Sequence, residues 1–182
     1  MRRVLPGLAL FLLATLATTQ AHATLARAMD LAELVREAEV IALVEVTSQS
    51  ARRDARQRIV TDVQMDVLEP VKGSPGARFT LVRIGGEIGE VGMTIAGETS
   101  FVDGQRYVIF ARRSTMGPGF RPVGMSQGVM MVEQDDQGTP QVLPGGGGLS
   151  LVDPRTGAHQ PPAITGPTRL DVLLDEIRRL AR

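Results

Sequence analysis

The chain has 182 residues, with 20 basic and 20 acidic side chains and no formal net charge at pH 7. That balance supplies no global field to draw nucleic acid to the protein. Cysteine is absent, which excludes disulfides, thiolate metal ligands, cysteine nucleophiles and a lipidated cysteine, so a domain of this size must be held by its core alone.

Residues 1–23 read as a secretory signal peptide. Arg2 and Arg3 supply a positive start, residues 8–17 (LALFLLATLA) an apolar run, and Ala21-His22-Ala23 a small-x-small cleavage site. The run is shorter than the roughly 20 apolar residues of a bilayer-spanning helix, so the mature form is not expected to span a membrane. Cleavage after Ala23 would release a domain starting at Thr24 into the periplasm or the medium.

The mature part opens with a helix expected near residues 30–39. Asp30 and Glu33 have capping-box spacing, and Leu31, Leu34, Val35 and Ala38 mark one face. Residues 40–47 (VIALVEVT) then read as a strand. Residues 59–67 alternate strictly, with Ile59, Thr61, Val63, Met65 and Val67 opposite Val60, Asp62, Gln64 and Asp66, the half-buried antiparallel pattern. The polar stretch between these two strands predicts a hairpin. After a Lys72-Gly73 turn, residues 79–84 (FTLVRI) form the next strand. Residues 85–97, with five glycines, predict an irregular loop or bulged strand. Residues 107–111 (YVIFA) are a short buried strand. Residues 129–133 and 141–143 flank an Asp135-Asp136-Gln137-Gly138 hairpin turn.

Six or seven short strands with tight turns predict a mainly β fold with flanking helices, a small antiparallel OB-like barrel. The expected organisation is a signal peptide at 1–23, a barrel with its N-terminal helix at 24–144, a Gly/Pro-rich linker at 145–167 and an amphipathic helix at 168–182. Thr168 and Asp171 give that last helix a capping signal. Leu170, Leu173, Leu174, Ile177 and Leu180 line one face, opposite Asp175, Arg178 and Arg179. So short a helix is marginal alone. The stripe of Leu173, Leu174 and Ile177 must therefore dock on the barrel or on a partner, and self-docking is the favoured arrangement because a free apolar helix invites aggregation.

Residues 38–110 resemble a group of exported bacterial proteins of uncharacterised function. The resemblance rests on AEVIALVEV, on VTDVQMDVLEPVKGSPG, and on Phe101, Gly104, Tyr107 and Phe110 in F-x-x-G-x-x-Y-x-x-F. The first and last motifs also look like the OB-type barrels of netrin-like modules and tissue metalloproteinase inhibitors. Gly124-Met125-Ser126-Gln127-Gly128 is similar to a glycine-glutamine-glycine step of the same bacterial group. The resemblance implies a barrel with no activity attached. The animal inhibitors depend on an N-terminal cysteine that this chain lacks, so their mechanism is carried to no residue here.

Four patterns are candidates for chemistry. Gly124-Met125-Ser126-Gln127-Gly128 is a literal G-x-S-x-G, and the order Ser126, Asp153, His159 matches a hydrolase triad. A strand follows it, however, where a nucleophile elbow needs a helix. Asp135 and Asp136 lack calcium-loop spacing, and once the signal is removed His159 is the sole imidazole, so no metal or cofactor site is expected. Glu87, Glu90 and Glu98 could pair as glycosidase carboxylates, but aromatic side chains to line a sugar cleft are scarce. Arg52, Arg53, Arg56 and Arg58 crowd one hairpin and fit contact with an anion, whether envelope phosphate, acidic polysaccharide or an acidic protein face. Nucleic acid is disfavoured by compartment and by the lack of stacking surface. The sequence thus predicts an exported, non-enzymatic binding or structural module of the cell envelope or exterior. The alternative is a serine hydrolase acting through Ser126.

Overall fold

A computed structural model describes residues 24–182, so the expected signal peptide and its cleavage site lie outside the described residues. The elements are β1 (Thr24–Arg27), α1 (Leu31–Glu37), β2 (Val40–Arg53), β3 (Ile59–Lys72), β4 (Arg78–Ile84), β5 (Gly86–Ile88), β6 (Val91–Met93), β7 (Arg106–Arg113) and β8 (Phe120–Pro122). A 3₁₀ turn (Met125–Gly128) follows, then β9 (Val129–Gln134), β10 (Pro140–Val142), β11 (Leu149–Val152), β12 (Thr168–Arg169) and α2 (Leu170–Leu180).

Strands β2, β3, β4, β8 and β7 pair in that order, and β7 returns to β2, which closes a small ring. The pairings in the ring are antiparallel except β4 to β8, which is parallel at Leu81 and Phe120. Beyond β7 the sheet continues through β9, β10 and β12. The protein is therefore mainly β, a small barrel-like ring of strands with two flanking helices.

Alternation along β2 and β7 sorts their side chains into two cores. Ala42, Val44, Val46, Tyr107, Ile109 and Ala111 join Val63, Met65, Phe79 and Leu81 within the ring. Ile41, Leu43, Val108 and Phe110 point the other way, against Leu34 and Val35 of α1 and Leu173, Leu174 and Ile177 of α2. Burial on both faces is why these two strands read as continuous apolar runs rather than alternating ones. Val63, from the alternating face of β3, is fully buried.

The spaced aromatic motif has a structural explanation. Gly104 sits at φ +79°, a turn that lets its amide donate to the Val46 carbonyl at 2.7 Å. The turn returns Tyr107 onto Phe101, ring edge to face at 5.1 Å, and the Tyr107 hydroxyl accepts from the Val102 amide. Phe110 faces the helices.

The α1 start follows its sequence signal, since Asp30 Oδ1 accepts from the Glu33 amide and Glu33 Oε2 from the Asp30 amide. At the other end Lys72 Nζ donates to the Val35 and Ala38 carbonyls, covering groups the helix leaves unpaired. At α2 the signal fails. Thr168 pairs with Val142 in β12, its hydroxyl donates to Gly166 O, and the N-cap is Arg169 with no side-chain cap. Leu180 is also left 41% exposed, outside the stripe expected of it. Arg178 bridges instead to Glu69 of β3.

The sequence predicts six or seven strands, and the described residues form twelve. The additional pieces, β1, β5, β6, β8, β11 and β12, have two to four residues each, too few to show a period. Two of them lie in or touch the stretch read as a linker. Strand β11 falls within residues 145–167 and pairs in parallel with β1, and Val152 bridges His159. Strand β2 runs on to Arg53, which leaves a tight turn of residues 54–58 before β3, and β3 itself runs on to Lys72.

Candidate functional site

The G-x-S-x-G segment forms the 3₁₀ turn between β8 and β9, with Gly124 and Met125 both in the left-handed region. Ser126 is buried, and its hydroxyl donates to Gly147 O at 3.0 Å. Gln127, also buried, donates through Nε2 to Arg27 O and Gly124 O and accepts at Oε1 from the Met29 amide. Gly128 passes so close to β7 that a Cβ there would lie 2.3 Å from Val123 O and 3.0 Å from Phe110 O. The segment is thus a knot that ties the N-terminal strand to the barrel.

No hydrogen bond joins the three residues of the triad order. His159 Nδ1 faces the Ser150 hydroxyl at 3.2 Å, and Asp153 Oδ1 accepts from the Arg155 amide at 2.7 Å. Asp135 is engaged in its own turn, accepting from Gln137, Thr139 and Gln141. Glu87 and Glu90 are exposed on the β5–β6 hairpin, while Glu98 lies in a cavity described below.

The four hairpin arginines do not act alike. Arg52 lies on β2 and forms a two-pronged pair with Asp62, at 2.6 and 2.9 Å. Arg53 is exposed and donates to Gln57 O. Arg58 grips the buried carboxylate of Asp54 through Nε and Nη2, and the other Asp54 oxygen accepts the amides of Arg56 and Arg58. The Arg58 guanidinium therefore holds the Asp54 carboxyl below its ordinary range. Arg56 is exposed, carried on this ordered turn.

Arg56 and Arg58 share a cavity of about 350 Å³ with Arg112 of β7, Arg121 of β8, Glu98 and Thr115. Sequence reading missed Arg112 and Arg121. They are direct partners across the β7–β8 ladder, a placement in which like charges destabilise a sheet. The Nε atoms of both are buried without any hydrogen-bond partner, as is Nε of Arg83. A buried donor left unpaired costs roughly 1–3 kcal/mol. Arg112 reaches only Glu37, at 4.0 Å. Burial, and then the charge of Arg112, disfavour the Arg121 cation, with Glu98 acting in the opposite sense. A guanidinium does not surrender its proton, so this penalty remains in the folded state. Burial likewise pushes the Glu98 carboxyl up, opposed first by Arg83.

The helix stripe is not part of a free surface. Leu173, Leu174 and Ile177 are 2%, 3% and 0% exposed, packed between α1 and the outer face of the sheet. Among the described residues no helix is long and apolar enough to cross a membrane. Comparison with protein-family models, with curated proteins and with solved structures gave no match.

Proposed function

We propose that this chain is an exported, non-enzymatic binding module of the cell envelope or exterior, and that its ligand is anionic. The carrying observation is the cavity beside β7–β8, where Arg112 and Arg121 face each other with unpartnered buried nitrogens and Arg56 stands at the rim. Like charge that Glu98 and Glu37 only partly offset is costly at a concave surface, and an entering group of opposite sign relieves it. The export half rests on the charged start, apolar run and cleavage site of residues 1–23. Envelope phosphate, an acidic polysaccharide or an acidic protein face supplies the required charge. The hydrolase alternative draws no support from a serine whose hydroxyl donates to a backbone carbonyl.

Retention on immobilised heparin, a sulfated polysaccharide, tests the reading. The mature protein should be held at low salt and released as salt rises, and Arg56→Gln/Arg121→Gln should pass through early. Equal elution of the two proteins would remove the cavity from the function.

A further inference from the structure

We infer that the cavity beside β7–β8 is a seat for a phosphate-type oxyanion, formed chiefly by the Arg112–Arg121 pair and closed by Arg56. This rests on the anionic-ligand reading above and narrows it to a ligand chemistry. Directly paired residues on antiparallel strands hold their side chains side by side. Even with both Nε atoms buried, the terminal nitrogens of two neighbouring guanidinium groups offer more N–H donors than one carboxylate can use. One fork already satisfies both oxygens of a carboxylate, whereas a tetrahedral phosphoryl group has oxygens for two.

The surroundings fit a ligand of high charge density. Arg58 is neutralised by Asp54 and serves as wall rather than binder, but the same Asp54 fixes the turn that carries Arg56. The backbone that carries the rim arginine is thereby fixed before any ligand arrives, which lowers the ordering cost of binding. Thr115 adds a hydroxyl to the lining, and Glu98 is its one carboxylate. Burial pushes that carboxyl up, and the Arg83 guanidinium acts first against the shift. At about 350 Å³ the cavity sits at the small end of ligand sites, which run from about 300 to 1,000 Å³. It has room for a phosphate and part of the group that bears it.

The test is calorimetric titration of the mature protein with inorganic phosphate in a chloride buffer of matched ionic strength, with acetate as the carboxylate control. Phosphate should bind and acetate should not. Arg121→Gln and, separately, Arg112→Gln should weaken phosphate binding about tenfold or more, the scale of losing one of two charged forks. Arg121→Lys should bind more weakly than wild type despite keeping the charge, and Arg53→Gln, on the exposed side of the hairpin, should leave binding unchanged. Circular dichroism confirms that each variant is folded, and a misfolded Arg121 variant leaves Arg112→Gln to decide. Co-sedimentation with phosphatidic acid vesicles separates the sources. Capture lost in Arg121→Gln means that the seat reads phosphate on a lipid, and phosphate binding without capture means that it reads free phosphate. Equal binding of acetate and phosphate, or phosphate binding unchanged in both glutamine variants, overturns the inference. Heparin retention without phosphate binding would also overturn it while leaving the anionic-ligand reading standing, and loss of both would remove both.

Discussion

Arg112 and Arg121 are placed where folding alone gains little from two guanidinium groups, opposite each other on a ladder and with Nε cut off from water. A residue kept for structure destabilises the protein when truncated, whereas one kept for a ligand can do the reverse in the ligand's absence. Arg121→Gln should therefore raise the melting temperature in phosphate-free buffer, by an amount on the order of 1 kcal/mol of relieved repulsion and burial. A fall in differential scanning calorimetry would mark Arg121 as a structural residue. Asp54 is the opposite case. Its folded carboxyl lies below the unfolded value, so its contribution is complete above a pH of about 4 and is lost as pH falls through the folded value. Asp54→Asn should lower stability at neutral pH and flatten the acid limb of the stability curve. A parallel acid limb in wild type and variant would contradict the assignment. Gln127→Ala should cost about 1–3 kcal/mol, because it strands the Met29 amide and two carbonyls in the interior. Urea denaturation measures that loss directly.

At the level of elements, local signals were legible and non-local ones were not. The capping box at Asp30 and Glu33 involves residues three apart, and the alternation at residues 59–67 lies within one strand, so both could be read directly. The burial of β7 was legible in the uninterrupted apolar run of residues 107–111, whereas residues 40–47 read only as a strand, without the two buried faces that β2 presents. The arginine cavity was hidden, because it exists only once β7, β8 and the β2–β3 turn come together. In sequence Arg112 looks like a solvated charge at a strand end, and Arg121 belongs to a strand of three residues. The string G-x-S-x-G was equally ambiguous, since the hydrolase elbow and the 3₁₀ knot share its letters. What separates them is the strand β9 that follows and the backbone that Gly128 must touch. Thr168 is another such case, drawn from a capping position into a bridge by Val142.

The docked stripe of α2 gives a test at the same scale. Leu173, Leu174 and Ile177 are each worth roughly 1.5–3 kcal/mol of burial. Deleting residues 168–182 should therefore lower the melting temperature markedly and expose the outer core to hydrophobic dyes. A truncated protein of unchanged stability would show that the packing contributes nothing.

For the molecule as a whole, the fold is a closed ring with one face roofed by α1 and α2 and a cationic mouth beside β7 and β8. The knot at Gln127 anchors the strand Thr24–Arg27 through the Arg27 carbonyl. N-terminal sequencing of exported protein should begin at Thr24, and an uncut leader in that material would refute the cleavage site. With no net charge on the whole chain, attraction for an anion must come from a local concentration of positive charge, which the mouth provides. The most direct measurement of that claim is the affinity of the mature protein for a heparin oligosaccharide as a function of salt concentration. The affinity should fall linearly on a double-logarithmic plot, as counterions are released from a polyanion, and Arg112→Gln/Arg121→Gln should give a shallower slope by about two charges. Salt-independent binding, or an identical slope in the double variant, would contradict the account.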